Sequence, residues 1–198
     1  MRSAVLPAAA WCALAVVRVA AQSGAPPSVG GLPPEWEVQA QMTALAQHVQ
    51  RFEPLLAQTH AEDWVKRGAP RAYVDQLGRA RAEIGYLVGS SKDLAAHPER
   101  LTMALDTFFR MESVDAMLRS LAAGIRKYQN PAVADLLQGL IADTGSDREK
   151  LRQYMVALAA YREQQFKVMD EEAQRCRSAL SRQARPATRT APRQEEHQ

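Results

Sequence analysis

From Val38 onward the apolar residues of this chain recur at intervals of three and four. Val38, Met42, Leu45, Val49, Phe52 and Leu56 are separated by four, three, four, three and four positions. That rhythm keeps all six on one side of a helix, whereas a strand would need alternation at every second residue. It returns in Tyr73, Leu77, Ala80, Ile84, Leu87, Ser91 and Leu94, and in Leu101, Leu105, Phe108, Leu118, Ala122 and Ile125. Val133, Leu137, Leu140 and Ile141 carry it further. Leu151, Met155, Leu158, Phe166, Met169, Ala173, Cys176 and Leu180 complete it. No stretch alternates apolar and polar residues as a strand does. The expected fold is therefore all-α: five or six helices in an elongated antiparallel bundle with left-handed, coiled-coil-like packing and a long C-terminal helix. Short connections favour sequential helices as neighbours.

Punctuation between the stripes is consistent with this division. Thr59 and Glu62 have the spacing of a capping box, and Gly68 suits a left-handed helix end. Pro70 and Pro98 fit first turns, and Asn130-Pro131 joins a capping side chain to a residue that lacks an N–H. Ser146 and Glu149, with Gly145 before them, predict a break that starts the last helix at Asp147 and runs it to Arg182. One continuous, kinked helix through this point is the alternative.

The ends read differently. Residues 1–21 have a basic start at Arg2, an apolar run from Ala4 to Val17 and small side chains at Ala20 and Ala21. That pattern predicts a secretory signal peptide, with an uncleaved anchor as the alternative, because the run is short for a membrane span. Residues 22–35 read as a Gly/Pro/Ser linker, 36–182 as one helical bundle domain, and 183–198 as a disordered tail. A secreted or periplasmic location follows, with no stable membrane insertion after signal cleavage. The 25 basic and 22 acidic residues come closer to balance once Arg2 and Arg18 are removed. No concentrated basic face is left to imply a nucleic-acid partner. The arginines of the tail (Arg185, Arg189 and Arg193) are diluted by Glu195 and Glu196.

Gly78, Ala82, Gly85 and Gly89 line one face of the second long stripe. A glycine inside a helix costs about 1 kcal/mol against alanine, so the strip is expected to let a neighbouring helix approach closely. Ser113, Ala116, Ser120 and Ala123 supply a matching strip on the next helix. Glu112 and Asp115 sit where the stripe would otherwise be apolar. Paired carboxylates suit a metal or proton transfer, but no Glu-x-x-His pair accompanies them, and a structural role with arginines is expected. His48, His60, His97 and His197 are scattered. Trp36, Trp64, Tyr154 and Tyr161 read as core or helix-end anchors. No Cys-x-x-Cys-His, Gly-rich phosphate loop, Gly-x-Ser-x-Gly or His-Glu-x-x-His occurs, so neither a cofactor nor an enzymatic activity is expected.

Of the two cysteines, Cys12 would leave with the signal peptide. Cys176 would stand alone between Arg175 and Arg177. It falls on the apolar stripe, where three roles are open: a small buried core residue, an intermolecular disulfide with a second copy, or a reactive thiol. The functional expectation is an exported, non-enzymatic helical protein acting through protein or envelope contacts, with self-association as one form of contact. A bundle that binds a small ligand or a metal is the alternative.

Overall fold

The computed structural model describes residues 31–183. The signal peptide expected at 1–21, most of the linker at 22–35 and the tail from 184 lie outside the described residues. Within them the chain is helical throughout: α1 Glu35–Gln50, α2 Glu53–Ala57, α3 Ala61–Lys66, α4 Ala72–Ala96, α5 Leu101–Tyr128 and α6 Pro131–Gln183. The bundle begins slightly earlier than the stripe implied. Leu32 packs against the core, and the backbone carbonyl of Pro34 accepts the first hydrogen bonds of α1.

The four long helices form an antiparallel bundle. Polar contacts fix the directions. Gln76 and Ser120 meet near one end of α4 and α5, and Thr107 donates to the Ser90 carbonyl at 3.3 Å toward the other. Arg126 pairs with Asp135 where α5 passes to α6, and Arg162 reaches the Glu99 carbonyl at 2.7 Å at the opposite pole. His48 of α1 and Arg51 just past its end face Asp147 and Asp143 of α6 in reversed order, so α6 closes the bundle back onto α1. The core runs along this axis, from Val38, Met42 and Leu45 through Ile84, Leu118 and Leu137. Burial of such side chains stabilises the fold by about 1.5–3 kcal/mol each.

The short helices α2 and α3 make a cap over one pole. Gly68 adopts φ +90°, its N–H bonds the Val65 carbonyl, and the Ala69 N–H bonds the Trp64 carbonyl. This is a Schellman ending with both of its hydrogen bonds present. The capping box expected at Thr59 and Glu62 does not form, because the Thr59 hydroxyl donates back to the Leu55 carbonyl at 3.0 Å. Asn130 does cap α6, accepting from the Ala132 N–H at 2.9 Å ahead of Pro131.

Three further expectations are corrected. The break near Gly145 is absent, and α6 is one helix of 53 residues, about 80 Å long. Ile141, Thr144, Asp147 and Leu151 keep its buried face continuous through the site of the expected turn. That burial outweighs a glycine whose helical cost is about 1 kcal/mol. Second, Gly78, Ala82 and Gly85 are exposed and Gly89 is half-buried. A Cβ built on any of the three glycines would touch nothing. Each of these glycines follows a buried residue by one position, which turns it about 100° away from the core. Ser113, Ala116, Ser120 and Ala123 are exposed as well. The small residues that the bundle does bury on these two helices are others: Ala80 and Ser91 on α4, and Ala104 and Thr107 on α5. Third, Pro98 does not open α5. It is buried in the connection before it, and its carbonyl accepts the hydroxyl of Tyr154.

Candidate interaction surface

The tightest polar and aromatic constellation lies in the cap. Trp64 is fully buried, stacked on Tyr128 and edge-on to Tyr73. Its indole N–H donates to Gln129 Oε1 at 3.2 Å, and the Gln129 amide donates to the Gln58 carbonyl at 3.0 Å. The rings of Tyr73 and Trp64 crowd Gly124, where a Cβ would lie 2.8 Å from the first and 2.9 Å from the second. This is the one glycine among the described residues that the packing requires, and its solitary position in the stripe of α5 gave no signal. The indole and the glutamine amide are engaged within the chain, which makes the cluster a clamp on the cap.

The acidic residues singled out in α5 are also engaged. Arg119 holds Asp115 through two hydrogen bonds at 2.7 and 3.1 Å. Arg148 of α6 approaches Glu112 at 3.5 Å and Asp115 at 3.7 Å. The hydrogen bond to Asp115 raises the Arg119 pKa above its ordinary value, so the guanidinium stays charged. Beside this group the interior holds a cavity of about 10 Å³ lined by Phe52, Met111 and Ile141, barely the ~10–15 Å³ that one water needs. Among the described residues no three His, Cys, Asp or Glu side chains cluster as metal ligands. One interhelical contact was invisible in the sequence. His48 Nδ1 lies 2.6 Å from Oδ2 of Asp147, whose side chain is almost fully buried. The two residues are 99 positions apart, and neither has a local pattern that marks it.

What remains unengaged is the far part of α6. Tyr154 is the last tyrosine held in the bundle, with burial pushing its phenol up to about 12 and the Glu99 and Glu35 carboxylates adding to that. Leu158 is the last buried side chain. Beyond it α6 passes the end of α5, and every residue from Phe166 to Gln183 is exposed, about 27 Å of helix. Phe166, Met169 and Leu180 are 74%, 67% and 60% exposed. With Ala173 and Cys176 they form the stripe read from the sequence. The buried-core role considered for Cys176 is therefore wrong within one chain: the thiol is free and exposed. Of the aromatic residues singled out, Trp64 and Tyr154 are core anchors, Tyr161 is half-buried, and Trp36 is in solvent.

The class these features define is an all-α helical bundle with a capped pole and a helix projecting from the other. Comparison with models of protein families, with curated proteins and with solved structures finds no match. Function has to be argued from this geometry.

Proposed function

We propose that the protein is exported and non-enzymatic, and that it works by contacts with protein through the projecting part of α6. The observation that carries this reading is a run of helix outside the bundle in which Phe166, Met169, Ala173, Cys176 and Leu180 keep a three-and-four spacing, with Val168 exposed to one side of it. Helices left in water normally turn polar all round, and a sustained apolar face on one marks a surface that something covers. The export half rests on the leader pattern of residues 1–21. The polar groups inside the bundle are satisfied by one another, which favours a structural interior over a ligand site. Glu112 and Asp115, the residues of the alternative metal reading, are matched to guanidinium groups.

The test uses photo-crosslinking residues introduced one at a time in the native host. Positions 166 and 169 on the stripe are expected to give protein adducts, and positions 171 and 178 on the opposite face are not. Equal labelling of both faces, or none, would remove the contact surface. N-terminal sequencing of the same material is expected to start at Gln22, a retained Met1 would remove the cleaved signal, and protein confined to the cytoplasmic fraction would remove export.

A further inference from the structure

We infer that the occupant of this surface is a second copy of the chain, and that the two projecting helices form a parallel, in-register, two-stranded coiled coil. The inference rests on the contact reading above and names the partner. Phe166, Met169, Ala173, Cys176 and Leu180 are spaced three, four, three and four apart, the alternation of a and d positions in a heptad. In that register Glu172 falls at g and Arg177 at e. A parallel pair brings each g residue against the e residue five positions on in the partner, so Glu172 of each chain faces Arg177 of the other. The charges are complementary twice over by symmetry. Neither residue has an ion-pair partner among the described residues, whereas the adjacent Glu171 and Arg175 pair along their own helix at 3.9 Å. The preceding g–e contact joins Gln165 to Asp170, which are compatible as amide donor and carboxylate acceptor.

Orientation follows from the ends of the seam. Running parallel, all five layers join like apolar residues. Running antiparallel, with Met169 opposite Leu180, Phe166 would face Gln183. The seam is short, but it extends a helix already formed, so the cost of nucleating helix is not charged to association. Parallel pairing also sets the two Cys176 thiols in one layer. Diamide can then join them, taking two protons and two electrons as the S–S bond forms.

The purified protein is to be examined by sedimentation in reductant. A dimer with a dissociation constant in the micromolar range is expected. Met169→Glu with Leu180→Glu should weaken it by more than about a hundredfold while leaving the thermal unfolding of the bundle unchanged, since both residues are exposed. Glu172→Arg should weaken it roughly tenfold, and Glu172→Arg with Arg177→Glu should restore it. An antiparallel pair would instead set the carboxylate introduced at position 177 against Asp170 and stay weak. Diamide should convert the native protein, but not Cys176→Ser, to a covalent dimer. A dimer that the double charge swap fails to rescue, or that diamide leaves uncrosslinked, overturns the parallel arrangement. A monomer at high concentration overturns self-pairing. If that monomer still gives adducts to other proteins from positions 166 and 169, the contact reading survives alone; with no adducts, both fall.

Discussion

Within α6, Ala134, Leu137, Ile141, Thr144, Asp147, Leu151, Tyr154 and Leu158 are buried against the rest of the bundle, whereas Phe166, Met169, Ala173, Cys176 and Leu180 stand in solvent on the same three-and-four spacing. The two stretches belong to one uninterrupted helix, so the difference does not lie in local structure. It lies in the length of the neighbour. α5 begins at Leu101, and the turn before it meets α6 at Tyr154 and Arg162. Past that point no second helix among the described residues offers the stripe a surface to rest on. Periodicity therefore reports that a face is suited to burial, and the lengths of the other helices decide whether the chain can bury it alone.

The comparison can be broken first at the well-packed pole. Trp64→Ala empties the centre of the aromatic clamp and should lower stability by about 3–5 kcal/mol in denaturant unfolding. Gly124→Ala forces a methyl against two ring systems and should cost about 1–3 kcal/mol; no loss there would mean that the cap is loosely packed. Asp147→Asn weakens the link between α1 and the buried half of α6, with about 1 kcal/mol expected by the same measurement. At the exit point the prediction concerns pH. The Tyr154 phenol is raised in the fold from 10.0 to about 12, so the folded state holds this proton more tightly than the unfolded one. Its contribution is full below pH 10 and should fall away as pH rises from about 10 to about 12. Tyr154→Phe should remove that part of the alkaline slope. The smallest effect belongs to the projecting stretch: Phe166→Ala should change monomer stability by less than about 0.5 kcal/mol. A loss as large as that of a core position would erase the distinction between the two stretches.

Much of the architecture was legible because it depends on spacing that any window of the chain displays. The stripes of α1 and α4 are buried nearly as read, and Asn130-Pro131 starts α6 as its chemistry implies. The errors share a cause. Ser146, Glu149 and Gly145 look like a helix start only if the tertiary face is ignored, and Ile141 through Leu151 supply that face. The glycine strip of α4 was a real pattern one residue out of phase with the core, and small side chains alone do not say which direction they point. In α5 the stripe passes through Ala104, Thr107, Met111 and Val114, where alanine and threonine disguise buried positions as neutral ones. The His48–Asp147 contact and the need for Gly124 arise only when distant segments meet. The projecting surface itself was readable as a stripe longer than its neighbours, with Cys176 upon it.

The unbroken course of α6 has a mechanical consequence. No proline follows Pro131 in this helix, and its Gly145-Ser146 pair lies within the stretch that the bundle buries from Ile141 to Leu151, so the projecting part holds no such local cause of a bend. The rod therefore behaves as a lever with one arm clamped between α5 and α1 and the other free. Whatever grips the tip fixes the direction in which the whole bundle points, and a twist applied there is felt at Asp147 and His48.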